Sequence, residues 1–565
     1  MSVHIGGGES DIGEVLGGLS KEDLSNPAIL ARLERLREIK NELEKERCQG
    51  DLVYFVTEVL GYKDLGHEVY EDIAQQFRDR NKEKSYNLIL IPRDCMKSSL
   101  LTIGLVLLEI TKNQNIRILI TNAVLDVAKR FLAEIKSHIE RNEKFRELFG
   151  DLKGDVWSKD EITVKGRTID KKELTIETGS PAHTKTGKHY DWIIADDLVT
   201  RENIKTIESK QGVYKYFQDL QDLLDHPHGV IDVIGTRWDF IDLYSMIMDE
   251  TKGHILDFNV FWKKAYEGNI DDDACVFNFP WKLNKGVLKR LKRQKTAMEF
   301  SAQYLNYPIA SEDMPFKPDM FKYYNELPQP YWTFIAVDPA TTDKKKSDFS
   351  VIIVISVTPD NKWYIRDIVR DKLLPGALSK QILHMAEIYE PKHIAIETLG
   401  FQAYVMKDLK AKMAVTGKKY SFSLIDLKPK NRGKEDRIKN LEPKFREGEI
   451  FFPKELMYKN TDGLELDMIL VMKDELFKTT WSSERASGGD KRDVVDTLAY
   501  FQDFVFKPLP GQVDEMFNKT KGLDPFSRFE WYAKEERMKQ IRRDKQEDSV
   551  FSPVFPDTSL LEELI

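Results

Sequence analysis

Short apolar runs that break into polar turns recur along this chain, and between them lie longer stretches whose apolar residues return at helical spacing. That alternation predicts strands and helices in turn, the pattern of an α/β fold. The first run is Leu88-Ile89-Leu90-Ile91 after Asn87, followed by a polar turn, Lys97-Ser98-Ser99 and a long apolar stretch through Leu105. Further runs over residues 116–121, 170–178, 191–195 and 230–238 predict strands, with helical sequence over 132–149. From Pro308 to Pro330 prolines and polar residues interrupt both patterns, which marks a boundary. Beyond it, residues 333–337, 350–357 and 393–396 read as strands, the first two as a hairpin, and 497–504 as a helix. At the other end, residues 29–49 carry Leu30, Leu33, Leu36 and Ile39 at helical spacing, which predicts an amphipathic packing helix.

The order strand, polar turn, Lys-Ser, helix is that of a phosphate-binding loop. A helix N-terminus offers unpaired N–H groups and a positive dipole end to a triphosphate. Lys97 would reach the β and γ phosphates and the Ser98 hydroxyl would meet Mg²⁺. Against the G-x-x-x-x-G-K-[ST] template, Ile91 and Met96 stand where glycines are expected, so the loop must take its shape without the residue that tolerates positive φ. About a hundred residues later an apolar strand ends in Asp196-Asp197. Such a pair at a strand's carboxyl end can hold Mg²⁺ and polarise the attacking water; a strand running into a helix-capping Asp is the alternative. The next strand ends in Gly235-Thr236-Arg237, groups able to sense a γ-phosphate and pass on its loss.

In the second half, three acids stand at the ends of separate elements: Asp338, Glu397, and Asp493 or Asp496 where the last helix opens. Carboxylate oxygens so gathered are what a two-metal phosphodiesterase requires, with cations about 4 Å apart activating water and stabilising the leaving oxygen.

Composition narrows the setting. A chain of 565 residues accommodates several domains. No apolar run reaches the roughly 18 to 20 residues of a membrane span, and the acidic, Gly-rich start does not resemble a secretory signal. Three cysteines without a CxxC pair suit a reducing compartment. The net charge is −8, yet basic residues cluster: Lys285, Lys289, Arg290, Lys292, Arg293 and Lys295; Lys344, Lys345 and Lys346; Lys428, Lys430, Arg432 and Lys434. Local clusters, more than net charge, decide nucleic-acid contact, although such runs are also ordinary solvated faces.

The ordered set of a degenerate P-loop with Arg93, then IIADD, IGTRW, FSAQYLNYP (residues 300–308), VDPA, AIE, KEDRIKNLEPKFREGEIFFP (434–453) and RDVVDTLAY resembles the large terminase subunits of tailed bacteriophages. The resemblance covers residues 50–505 approximately. It implies an α/β protein with an N-terminal P-loop ATPase domain on a mostly parallel sheet and a C-terminal ribonuclease H-like nuclease domain on a mixed sheet. The segments would be an N-terminal helical or flexible part (1–50), the motor (51–310), a linker (311–331), the nuclease (332–507) and a tail (508–565) that docks on the portal. That family's loop often lacks its glycines and carries an arginine near the position of Arg93.

By this resemblance ATP lies on Arg93, Asp94, Cys95, Met96, Lys97, Ser98, Ser99 and Asp196. Asp197 orients the water, Arg93 stabilises transition-state charge, and Gly235, Thr236 and Arg237 couple hydrolysis to movement. Asp338, Glu397 and Asp493 hold Mg²⁺ or Mn²⁺, with Asp496 or Asp348 as other ligand candidates because Arg492 replaces an expected acid. Lys428, Lys430, Arg432 and Lys434 flank the DNA. The implied activity is ATP-driven translocation of double-stranded DNA into a procapsid and endonucleolytic cutting of concatemers. Implied partners are the portal ring, the small terminase subunit and further copies in a ring, a pentamer in the family. The implied setting is the host cytoplasm, transiently at the portal vertex and outside the mature virion. Two rival readings are a repair helicase-nuclease and a DNA-binding assembly protein with an inactive loop.

Overall fold

The computed structural model describes residues 27–79, 85–249, 257–310, 314–340, 349–398, 403–416, 420–427, 434–479 and 492–507. The chain divides into two compact units, Met1–Met314 and Pro315–Ile565. Both are α/β.

The first unit is built on eight strands: β1 (Tyr86–Leu90), β2 (Ile118–Thr121), β3 (Lys153–Trp157), β4 (Glu161–Val164), β5 (Ile176–Gly179), β6 (Trp192–Asp196), β7 (Val230–Gly235) and β8 (Phe258–Trp262). Their order is β3-β4-β5-β2-β6-β7-β1-β8. From β5 to β8 the neighbours are parallel, while β3, β4 and β5 pair antiparallel. Parallel strands covered on both faces read as continuous apolar runs, and β1 follows that rule. Ile89 and Ile91 join one core cluster, and Leu88 and Leu90 the cluster on the opposite face. A polar contact crosses the sheet: buried Asp232 on β7 accepts from Asn87 Nδ2 on β1 at 2.6 Å and from Trp192 Nε1 on β6 at 2.9 Å.

Two predicted strands start at least two residues later than their runs. The first begins at Ile118 because the Arg117 N–H donates to the Asp191 carboxylate. In the other, only Ile176–Gly179 is strand; just before it the Leu174 N–H is taken by the Glu177 side chain. Such local bonds compete with ladder pairing. The N-terminal helix runs Pro27–Gly50, but Leu30, Leu36 and Ile39 are 40–42% exposed, and its buried side chain is Cys48 near the end. Packing along its whole length is therefore not found. Leu30, Leu33, Leu36 and Ile39 recur every third residue, which rotates the apolar position by about 60° per step and spreads it around the helix.

A small hairpin, β9 (Tyr266–Glu267) with β10 (Val276–Phe277), precedes the helices Lys285–Gln294 and Ala297–Leu305.

The second unit has a seven-stranded mixed sheet of β11 (Lys322–Tyr323), β12 (Trp332–Asp338), β13 (Ser350–Val357), β14 (Trp363–Asp371), β15 (His393–Glu397), β16 (Ser423–Leu427) and β17 (Ile450–Phe452), ordered β11-β17-β14-β13-β12-β15-β16. β12, β13 and β14 form an antiparallel meander, and β15 runs parallel to β12. One face packs on the helices Pro375–Tyr389 and Ala403–Thr416. The helix Asp493–Phe504 lies against β12 and β13; it starts earlier than its apolar run because the two acids occupy its first turn, a favoured place for them. No described helix is long and apolar enough to cross a membrane.

Candidate functional sites

In the first unit the parallel strands bring three sequence features to one edge. Leu90 at the end of β1 pairs with Gly235 at the end of β7, and Asp196 at the end of β6 pairs with Ile234. The loop after β1 and the acids after β6 therefore flank the Gly235-Thr236-Arg237 turn. Ligands of open α/β sheets bind at this carboxyl edge.

The loop residues Asp94 and Met96 have φ of +67° and +52°. The chain thus adopts left-handed backbone at the position of a template glycine, at a cost of about 1 kcal/mol per residue. Asp197 is a third such residue, with φ +50°. Ile91, at the other template glycine, is buried in the core, and its carbonyl accepts from Thr236 Oγ1 at 3.0 Å. Cys95 is buried, its carbonyl held by the Tyr70 hydroxyl at 3.1 Å. Lys97 opens the helix, whose next segment, Ser99–Leu105, is π-helical.

Lys97 is the centre of this edge. Its ammonium lies 3.1 Å from Asp197 Oδ2 and donates to Thr236 Oγ1 at 3.2 Å. Burial works against its charge, but Asp197 and Asp196 outweigh that and raise its pKa. Asp196 is fully buried; its Oδ2 accepts from Thr102 Oγ1 at 2.6 Å, while Oδ1 has no protein partner. Burial, then the neighbouring Asp197 charge, push this carboxyl up to about 6, against the pull of Lys97, Thr102 and Ser98. A buried, half-satisfied carboxylate beside a lysine is an environment for a hard cation and its anionic ligand.

Gly235 is required by packing: a Cβ there would lie 1.8 Å from the Tyr244 hydroxyl. Arg237 is buried, donates from Nε to Asp242 Oδ2 at 2.9 Å and from Nη2 to the Asp239 carbonyl at 3.0 Å. Arg93 is exposed, its guanidinium 5.6 Å from the Trp238 ring centre. The FSAQYLNYP segment, to which sequence reasoning gave no role, braces both motifs. The Gln303 carbonyl accepts from the Arg93 N–H at 3.1 Å, and Asn306 Oδ1 from the Arg237 N–H at 3.3 Å. Asn306 sits left-handed (φ +51°) at the end of Ala297–Leu305, and that Asn at a helix end was the available signal.

In the second unit Val337 pairs with Ile396 in parallel register, so the following residues, Asp338 and Glu397, emerge side by side. Their carboxyls are hydrogen bonded, and burial, with Glu397 next, holds the Asp338 pKa well above the usual range. The Tyr500 hydroxyl donates to Glu397 Oε2 at 2.5 Å. Asp496, one helical turn before Tyr500, adds its charge to the field at Asp338. Asp493 lies one turn earlier and is bonded to Lys434 Nζ at 3.2 Å, which is also 3.6 Å from Asp496. Asp496, more than Asp493, is thus the helix acid whose charge is felt at Asp338 and which itself feels Glu397.

Arg437, absent from the sequence reading, grips Asp496 from Nη2 at 2.9 and 3.0 Å and from Nε at 3.2 Å. Burial pushes the Asp496 carboxyl up against the opposing pull of Lys434 and Arg437. Lys434 is therefore engaged with the acids rather than free to meet DNA. Glu475, also missed, is fully buried on the helix Met468–Phe477 and accepts from the Val495 N–H at 3.0 Å, capping the helix that carries Asp493 and Asp496. Arg437 was legible only as the residue three after Lys434, one helical turn on. Among the described residues no three of these side chains are arranged closely enough to enclose a metal ion. Lys428, Lys430, Arg432, Asp348 and Lys344, Lys345 and Lys346 lie outside the described residues.

Residues 335–501 match the terminase RNaseH-like domain family. No curated protein matches the chain. Among solved structures, it is similar to the large terminase from a thermophilic bacteriophage in complex with ADP, at 12% identity and a TM-score of 0.31, over 78% of this chain and 99% of that one. It is also similar to the large terminase nuclease from thermophilic phage G20c with bound magnesium, at 17% identity, 34% and 96% coverage and a TM-score of 0.22. A third is the large terminase ATPase domain of Thermus phage P74-26, at 14% identity, 45% and 97% coverage and a TM-score of 0.30.

Proposed function

From a C-terminal unit that carries a terminase RNaseH-like domain, preceded by a P-loop unit, we infer that this chain is a large terminase subunit: an ATPase that drives double-stranded DNA into a procapsid and a nuclease that cuts it. The observation that carries the motor half is the meeting of Lys97 with Asp197 and Thr236 at one sheet edge. In a decayed loop of an assembly protein nothing would favour keeping a buried ammonium between the acid and the sensor turn, where desolvation penalises it.

Lys97 and Ser98 would bind the phosphates of ATP, and Ser98 with the unpartnered Asp196 Oδ1 would bind its Mg²⁺; the donor set fits that cation. Bound Mg²⁺ supplies charge neutralisation of the phosphates. Asp197 orients the attacking water and Arg93 stabilises negative charge as it develops. Thr236, hydrogen bonded both to Lys97 and to the Ile91 carbonyl, is suited to sense loss of the γ-phosphate and relay it through Arg237.

In the second unit Asp338, Glu397 and Asp496, with Asp493 beside them, are oxygen donors of the kind Mg²⁺ and Mn²⁺ take, and burial beside Glu397, which raises the Asp338 pKa, marks a place where a cation's charge is wanted. Mg²⁺ or Mn²⁺ held by these carboxylates would activate water against a DNA phosphate. Tyr500 holds Glu397, and Arg437 and Lys434 hold Asp496 and Asp493. The portal ring, the small subunit, assembly into a ring and transient residence at the portal vertex in the host cytoplasm belong to the same reading.

The test is ATP turnover by the full chain with and without duplex DNA, beside Lys97→Ala and Asp197→Asn, and Mn²⁺-dependent plasmid cleavage beside Asp338→Asn. DNA-stimulated turnover lost in both motor variants, with cleavage lost only in Asp338→Asn, supports the reading. No turnover with DNA present sinks the motor half.

A further inference from the structure

The basic cluster of residues 285–295 takes no part in either site. It forms the helix Lys285–Gln294, which in ten residues contains no carboxylate. At about 100° per residue, Val287, Leu288 and Leu291 share one face and are turned inward, while Lys285, Lys289, Arg290, Lys292 and Arg293 spread over the rest of the helix. The cations therefore stand three and four residues apart with no acid between them, an arrangement that destabilises a helix unless an anion lies over it.

The surroundings relieve only part of this. Lys289 pairs with Asp271 at 2.6 Å and Lys285 reaches Asp273 at 4.0 Å. Arg290, Lys292 and Arg293 are exposed, and no carboxylate contact is seen at them among the described residues. Cations in a last turn complement the helix dipole, which accounts for Lys292 and Arg293 but not for Arg290 or for the crowding. Lys292 also lines a recess of about 300 Å³ with Lys264, Glu267 and Tyr307, and Tyr307 is 58% exposed. The Glu267 carboxylate on that wall is taken by Lys264 at 3.4 Å. That leaves the Lys292 ammonium and the Tyr307 phenol, both groups that bind phosphate oxygens.

We propose that this helix face is a contact surface for the phosphate backbone of duplex DNA, with Arg290, Lys292 and Arg293 as its anion-binding side chains. This rests on the reading that the chain handles duplex DNA, and adds to it a second DNA-contacting surface, on the ATPase unit. Two guanidinium groups and an exposed ammonium on the wall of a recess, on a chain of net charge −8, favour a regular polyanion over an acidic protein, whose carboxylates this chain itself supplies in excess.

The test uses the full-length chain and a fluorescent duplex of mixed sequence, with anisotropy measured across a series of KCl concentrations. The variant is R290Q/K292Q/R293Q; K285Q/K289Q, at the carboxylate-paired positions, is the comparison. Each lost phosphate contact lowers the slope of log K against log[salt] by about 0.9. The triple variant is expected to lose about 2 to 3 from that slope and at least tenfold in affinity, the double variant less, with DNA-independent ATP turnover unchanged in both. A native chain that binds duplex with the same slope as the triple variant overturns the proposal and leaves the motor reading intact. A native chain that binds no duplex overturns both. Competition by poly-glutamate that the triple variant loses, with the duplex slope unchanged, assigns the face to an acidic protein and overturns the proposal.

Discussion

Asp196→Asn separates stability from function in a way the buried edge makes calculable. The carboxyl is fully buried with one oxygen unpartnered, and its folded value of about 6 exceeds its ordinary 3.8. In that window the native state holds a proton that the unfolded chain releases. Stability therefore falls as pH rises from about 4 to 6, and the full cost stands above 6. At about 1.4 kcal/mol per unit, the cost is about 3 kcal/mol at pH 8 and roughly half that at pH 5. Asparagine removes the charge while its carbonyl still accepts from Thr102. The buried amide N–H groups of the nucleotide-free variant lack a partner at every pH, so its melting point relative to the native chain should rise by a few degrees from pH 4 to pH 8, with pH 5 between, while ATP turnover is lost. The assay is thermal unfolding followed by tryptophan fluorescence at the three pH values. A melting-point difference that is the same at pH 4, 5 and 8, or that falls as pH rises, would refute the claim that desolvation dominates at this carboxylate.

Other substitutions probe neighbouring claims. Met96→Gly should relieve about 1 kcal/mol of left-handed strain and retain ATP turnover; a turnover-dead variant would show that the Met96 side chain has a role of its own. Gly235→Ala forces a Cβ against Tyr244 and should cost about 2 kcal/mol in denaturant unfolding. Glu475→Ala exposes the Val495 N–H to an apolar cavity and should lose about 2 kcal/mol. Glu475→Gln keeps the acceptor, and because burial raises Glu475 to about 8 the neutral amide should melt with the native chain at pH 7. Arg437→Gln breaks the fork on Asp496 and should reduce Mn²⁺-dependent plasmid cleavage at least tenfold, with partial recovery in Arg437→Lys; equal cleavage in all three would leave the fork a packing contact.

Most of the parallel part of the first sheet was legible because buried strands announce themselves as apolar runs, and the acids at their ends mark the functional edge; β8, whose residues alternate between buried and more exposed, was not. β12, β13 and β15 were legible for the same reason, with Asp338 and Glu397 at the ends of their strands; their adjacency comes from the parallel register of β12 and β15, which the runs do not carry. What periodicity does not carry is the pairing of side chains distant in sequence. Nothing in the spacing joins Arg437 to Asp496, Tyr500 to Glu397 or Glu475 to Val495, because those contacts exist only once separate helices meet over the sheet. The same limit hid the brace of Gln303 and Asn306, which acts through a backbone carbonyl and an amide side chain of ordinary composition. Strand starts failed where side chains took over backbone hydrogen bonds, at Arg117 and Leu174. The first helix was found where it was expected, but its packing face was not, because apolar residues at steps of three satisfy a helical count without forming a face.

The left-handed loop also sets which sequences can drift through this site. At Asp94, Met96 and Asp197 the backbone excludes β-branched residues, whose side chains crowd a positive φ, and tolerates best Gly, Asn and Asp. A lineage carrying this loop can therefore exchange Asp94 or Met96 for Gly or Asn one step at a time and keep the shape, whereas Val, Ile or Thr at either position is a dead end. Glycines can come and go from such a loop while its Lys-Ser stays in place, so the backbone angles are the more durable signature of the site.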